Sequence, residues 1–140
     1  MKTSDFTILV AEDDPSVRKI YQKVLIMEGY NLILAESGAR ALAEIMDTHV
    51  DLLITDLKMD NMSALELLPV LKQSFPALPI LVVSGCYQGM ADGFLEKGFN
   101  IQAFIQKPAP MMVLKEKIRE VLKIEAEEKK GFFKKVAALV

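Results

Sequence analysis

Five times along this chain a short apolar run gives way to a longer amphipathic stretch, and that alternation leaves few folds open. The apolar runs are Thr7–Ala11, Asn31–Ala35, Leu52–Thr55, Ile80–Val83 and Ala103–Gln106. They are rich in Leu, Ile and Val instead of alternating with polar residues, as expected of strands covered on both faces. Strands joined by helical stretches imply right-handed crossovers, and hence an α/β fold built on a doubly wound five-stranded parallel sheet with helices on both faces.

The helical stretches carry their own punctuation. Asp14-Pro15 starts the first, an acid at the cap and proline in the first turn. Val17, Ile20, Tyr21, Val24 and Leu25 then keep helical spacing until Gly29. Ser37 caps a second helix bearing Ala41, Leu42 and Ile45, and a third runs from near Ser63 to Phe75-Pro76. Pro69 inside that third helix cannot donate to Leu65 and should kink it. A glycine-containing helix around Gly89–Lys97 should be the least stable. The last begins at Pro110 and places Met111, Leu114, Ile118, Val121 and Leu122 on one stripe.

At 140 residues the chain has a single-domain length. A net charge of -2 gives no electrostatic reason for direct nucleic-acid binding. The single cysteine, Cys86, cannot form an internal disulfide, which makes a cytoplasmic location the default expectation. No secretory leader is evident, and no apolar run approaches the roughly 20 residues of a membrane span.

Four strand ends carry polar side chains that a parallel sheet would bring to one edge: Glu12-Asp13, Asp56, Ser84 and Lys107. Glu12, Asp13 and Asp56 would repel one another and raise one another's pKa values. A hard divalent cation relieves this, and Mg²⁺ takes one or two carboxylates plus waters and phosphate oxygens. Lys107 supplies positive charge on the other side of a phosphoryl group, Ser84 a hydroxyl donor, and Asp56 a carboxylate nucleophile. Any one of these acids alone reads as a loop residue or a helix cap, as Asp14 and Asp51 do. The joint pattern is what carries the inference.

These residues also spell a family. Ile8-Leu9-Val10-Ala11-Glu12-Asp13-Asp14-Pro15, Leu53-Ile54-Thr55-Asp56-Leu57, Val82-Val83-Ser84-Gly85 and Ile105-Gln106-Lys107-Pro108 resemble, in this order, the receiver (response-regulator) domain of two-component signalling. The resemblance covers residues 5–124 and leaves 125–140 as a charged, then apolar, C-terminal extension. It implies a flavodoxin-like strand order 2-1-3-4-5. It implies Asp56 as phosphoacceptor, charged by a sensor histidine kinase or histidine phosphotransfer protein and read by a downstream protein target. Mg²⁺ would be held by Glu12, Asp13, Asp56 and the Lys58 backbone carbonyl. Ser84 and Lys107 would contact phosphoryl oxygens, Phe104 would be the aromatic switch, and the bond before Pro108 would be cis. The face made by the Gly89–Lys97 helix, the last strand and the last helix leaves room for a homodimer. Such a domain is no separate enzyme, although it assists its own phosphorylation and dephosphorylation.

Departures from the family pattern fall after Asp56 and after Lys107. Asp60 stands where proline is usual, Ser63-Ala64 where Asp-Gly is usual, and Ala109 where phenylalanine is common. They bear on partner fit and phosphoryl lifetime; no reacting group is lost. A haloacid-dehalogenase-type phosphatase would need an acid at position 58, which is Lys58. A flavin domain would need a hydroxyl- and glycine-rich phosphate loop where Glu12-Asp13-Asp14 stands. The remaining alternative is a receiver fold used as a phosphorylation-independent interaction module. His49, the only histidine, reads as a surface turn, so a phosphohistidine donor must come from another protein. The methionines read mainly as packing, and the Phe132-Phe133 tail as a packing or self-association element.

Overall fold

A computed structural model of the chain describes residues 2–85, 93 and 97–124. Five strands, β1 (Thr7–Ala11), β2 (Asn31–Ala35), β3 (Leu52–Thr55), β4 (Ile80–Ser84) and β5 (Ile101–Gln106), form one sheet. Its order is β2-β1-β3-β4-β5 and every pairing is parallel. The helices described in full are α1 (Pro15–Met27), α2 (Gly38–Asp47), α3 (Ala64–Ser74) and α4 (Met111–Leu122). The tail at 125–140 and, apart from Gly93 and Lys97, the Gly89–Lys97 helix lie outside the described residues, as does Cys86.

Successive strand residues point to opposite faces, so each central strand feeds two cores. Leu9, Ala11, Leu53, Ile80 and Val82 join Ala41, Ile45, Leu67, Leu68 and Leu71 on the α2–α3 side. Ile8, Val10, Leu52, Ile54, Leu81 and Val83 join Tyr21, Leu25, Leu114 and Ile118 on the α1–α4 side. That two-sided burial is why β1, β3 and β4 read as continuous apolar runs. The expectation fails for the two edge strands: β2 has an exposed first residue and three half-buried ones, and β5 is exposed at Gln102 and Gln106. Each pairs on one side only, so solvent reaches its outer flank.

β5 starts two residues earlier than its apolar run suggested. Ile80 pairs with Ile101 but Leu81 with Ala103, so Gln102 forms a bulge. The bulge lets Ile101 and Ile105 enter opposite cores despite their even spacing.

The helix boundaries have visible causes. The Asp14 carboxylate accepts from the Ser16 N–H at 2.8 Å, and the Ser37 hydroxyl from the Arg40 N–H at 3.1 Å. Gly29 takes φ 94° just past α1, a conformation that favours glycine. Lys123 closes α4 in the left-handed region, with the Ile124 N–H donating to the Arg119 carbonyl at 2.9 Å.

One ion cluster fastens α4 to the end of α1. Glu28 pairs with Lys115 at 3.1 Å and with Arg119 at 3.0 Å. Partial burial alone would raise the Glu28 pKa, but hydrogen bonds from Lys115 and Arg119 carry it below the usual carboxylate value. A depressed carboxylate pKa gives stability that is present above the unfolded pKa and lost as pH falls through the folded one. Glu28→Gln is therefore expected to cost about 0.5–1 kcal/mol at neutral pH. That difference should vanish in acid below the folded pKa, as measured by urea melts at both pH values.

Candidate functional site

Parallel register sets the C-terminal strand ends side by side: Ala11 lies opposite Thr55, Thr55 opposite Val82, and Ser84 opposite Gln106. The residue after each end therefore emerges at one edge of the sheet. The Glu12 N–H donates to the Ala35 carbonyl at 3.0 Å, and the Asp56 N–H to the Ala11 carbonyl at 3.2 Å. The Lys107 N–H donates to the Ser84 carbonyl at 2.9 Å. Backbone bonds thus fix the origin of each of these side chains before any charge interaction is counted.

Lys107 is the centre of the constellation. Its Nζ donates to Asp56 Oδ2 at 2.6 Å and to Glu12 Oε2 at 2.9 Å. Burial would lower the lysine pKa, but its hydrogen bonds to Asp56 and Glu12 reverse this and hold it well above the ordinary value. The ammonium is therefore charged throughout the physiological range. Glu12 is only 2% exposed, and burial pushes its carboxyl up, opposed by hydrogen bonds from Lys107 and the Asp14 N–H. Tyr21 on α1 is buried, and burial pushes its phenol up to about 12. The Lys107–Pro108 peptide bond is cis.

The other sequence candidates fall around this centre. Asp13 is exposed on the loop from β1 to α1. The Lys58 side chain points into solvent, while its N–H donates to Asp56 Oδ1 at 3.2 Å. Ser84 is 4% exposed at the end of β4. Phe104 is half-buried against the α2–α3 core. His49 is an exposed surface residue, paired with Asp51 at 2.9 Å at the opposite end of the sheet. Asp51 caps no helix; its other oxygen accepts from the Thr7 N–H at 2.8 Å and anchors the start of β1.

Two features were not read from the sequence. Arg18 Nη1 donates at 2.8 Å to the carbonyls of both Glu12 and Asp13. Gly38 lies under the loop after Asp56: a Cβ there would sit 1.9 Å from the Met62 carbonyl oxygen. Asn61 and Met62 both take positive φ, 54° and 70°, and the Ala39 N–H donates to the Asn61 carbonyl at 3.3 Å. In the loop where the sequence departs from the family pattern, the chain is thus wedged against the start of α2. Gly38→Ala is expected to cost about 1–3 kcal/mol, since the obstructing atom is backbone. A thermal melt checks this, and unchanged stability would mean that the loop yields freely.

The carboxylates suit a hard cation that takes one or two of them and completes its shell with water. Among the described residues no three His, Cys, Asp or Glu side chains are gathered into a cage. The donor set fits Mg²⁺ in kind, with Lys107 holding the positive charge between Glu12 and Asp56.

A five-stranded parallel sheet in this order, with an acidic pair at its C-terminal edge, has the architecture of the CheY-like signalling domains. Residues 8–119 match the response regulator receiver domain family, and the chain belongs to it. Such domains are regulatory phosphoacceptor modules of two-component systems that generally bind Mg²⁺ and are not enzymes of the usual kind. A CheY-like receiver domain protein from Methanospirillum hungatei JF-1 has 28% identity and a TM-score of 0.78, covering 88% of this chain and 98% of its own. Response regulator protein TrrA from Thermotoga maritima, in complex with Mg(2+)-BeF, has 26% identity and a TM-score of 0.74, covering 83% of this chain and 98% of its own. Among curated relatives, transcriptional regulatory protein GlrR of Escherichia coli is 29% identical over 119 residues, 85% of this chain but 27% of that protein. Sensor protein EvgS of Escherichia coli is 34% identical over 110 residues, 78% of this chain but 9% of that protein. The chain thus spans about a quarter or less of these curated relatives. Among the described residues no helix is long and apolar enough to cross a membrane.

Proposed function

We propose that this chain is a phosphoacceptor switch with Asp56 as its reacting residue. One observation carries the reading: Lys107 Nζ lies 2.6 Å from Asp56 Oδ2 and 2.9 Å from Glu12 Oε2. That arrangement aims a carboxylate and places a positive charge against it at a sheet edge, and positioning and charge neutralisation are what phosphoryl transfer asks of a protein.

In the proposed reaction an Asp56 oxygen forms a bond to phosphorus as the phosphorus–nitrogen bond of a donor phosphohistidine breaks. The departing imidazole keeps the electron pair and takes up a proton. Lys107 transfers its ion pair from the Asp56 carboxylate to a phosphoryl oxygen, and Ser84 donates its hydroxyl to another. A Mg²⁺ ion held by Glu12, Asp13, Asp56 and the Lys58 carbonyl would supply positive charge against the remaining phosphoryl charge. Withdrawal of Ser84 towards the phosphoryl group frees space for Phe104 to turn inward, so a covalent charge biases a two-state surface. The same groups would assist hydrolysis of the acyl phosphate. The partners are a histidine kinase or phosphotransfer protein upstream and a protein target downstream, in the cytoplasm, with residues 5–124 as the receiver unit.

The test is intact-protein mass after incubation with acetyl phosphate, with and without Mg²⁺. One hydroxylamine-labile phosphoryl group, formed only with Mg²⁺, is the expected result. Failure to take up either a phosphoryl group or beryllofluoride would leave the phosphorylation-independent interaction module.

A further inference from the structure

We propose that Arg18 is a positioning residue: by gripping the Glu12 and Asp13 carbonyls together, it sets the direction in which those two acids meet Mg²⁺. The inference rests on the reading of Glu12 and Asp13 as metal ligands and adds a residue that the acidic motif does not contain.

Buried and half-buried backbone groups must find partners, and where β1 leaves the sheet its ladder partners run out. The Glu12 N–H is the last to be held by the neighbouring strand, donating to the Ala35 carbonyl at 3.0 Å. The Asp14 N–H is taken by Glu12 Oε1 at 3.2 Å, the Ser16 N–H by Asp14 Oδ1 at 2.8 Å, and the Asp14 carbonyl by the Arg18 N–H at 3.0 Å. The carbonyls of Glu12 and Asp13 are held by a side chain instead. Both receive the same Arg18 nitrogen at 2.8 Å, reached from one turn into α1. Two consecutive carbonyls drawn to one point fix the orientation of both peptide planes, and therefore the directions in which the two side chains leave the backbone.

A guanidinium held this close to two metal ligands has an opposing effect. Its charge repels an incoming cation, so on electrostatics alone its removal would tighten binding. The geometric effect predicts the reverse. Groups that orient metal ligands typically contribute about 10–100-fold in metal affinity. The two roles therefore differ in sign.

The experiment is Mg²⁺ titration of the unphosphorylated full chain by calorimetry, for wild type, Arg18→Met and Arg18→Lys. Amide hydrogen exchange at Glu12, Asp13 and Asp14 is measured on the same samples without metal. The expected result is Mg²⁺ binding about tenfold weaker in Arg18→Met. Arg18→Lys should recover part of the loss, and loop exchange should be faster in the methionine variant. Affinity that is unchanged or tighter in Arg18→Met would overturn the proposal, as would weaker affinity with unaltered loop exchange. If the wild type itself binds no Mg²⁺, the ligand assignment fails. The hydrogen-exchange comparison then decides separately whether Arg18 holds the loop.

Discussion

Asp56→Asn is expected to abolish phosphoryl uptake from acetyl phosphate while leaving the fold intact. The asparagine amide has nearly the shape of the carboxylate, so its oxygen can still accept from the Lys58 N–H, as Asp56 Oδ1 does at 3.2 Å. What disappears is the nucleophile: a neutral amide oxygen does not form the acyl phosphate that a carboxylate forms. Lys107 also loses the nearer of its two anions, at 2.6 Å, and keeps only Glu12. Mass spectrometry with and without acetyl phosphate should therefore give the same mass for the variant. A melting curve close to wild type would show that chemistry, and not folding, was removed. A hydroxylamine-labile adduct on the asparagine variant would assign the acceptor to another residue.

Lys107→Met should move two observables in opposite directions. The methionine stem fills similar space but carries no charge, so a phosphoryl group loses one fixed positive partner. Removal of a preorganised donor of this kind typically lowers rate by about 10²–10³-fold, and phosphorylation by acetyl phosphate should fall by at least the lower figure. At the same time Glu12 and Asp56 lose the ammonium that joins them. Two neighbouring carboxylates without a cation repel, which makes a metal ion a more welcome neighbour. Mg²⁺ affinity of the unphosphorylated protein should rise several-fold. Since the Lys107 pKa is raised in the folded protein, its stabilising pairing is fully present below the ordinary lysine pKa and is lost only as pH climbs through the raised one. The contrast with wild type should accordingly be flat across neutral pH. A variant that loses both rate and metal affinity would indicate collapse of the site.

What the sequence revealed and what it concealed follow from how local each cause is. The strand runs and helix caps depend on neighbours within a few positions, so Asp14, Ser37 and the ends of β1, β2 and β3 could be placed from their own surroundings. The gathering of Glu12, Asp56 and Lys107 follows from parallel topology, because each is the first residue beyond a strand. The bulge at Gln102 left no mark in the apolar pattern, since it depends on how β5 registers with β4. Arg18 was equally hidden. Its acceptors are backbone carbonyls, which every residue has, so no spacing rule distinguishes it from the solvated lysines of α1. The wedge of Gly38 beneath Met62 joins the start of α2 to a loop that touches it only in the folded chain. Its signal was a glycine directly after a cap serine, which reads equally well as a helix start.

The Glu28–Lys115–Arg119 cluster has a bearing on transmission. α4 is bolted to α1 near its own end, and Ile124, 9% exposed, plugs into the same layer directly afterwards. Ile124 thus lies in the layer that also buries α1, the helix that opens directly from the acidic loop. A shift of the acidic loop that moves α1 would therefore reach the end of α4 through Glu28 and Ile124.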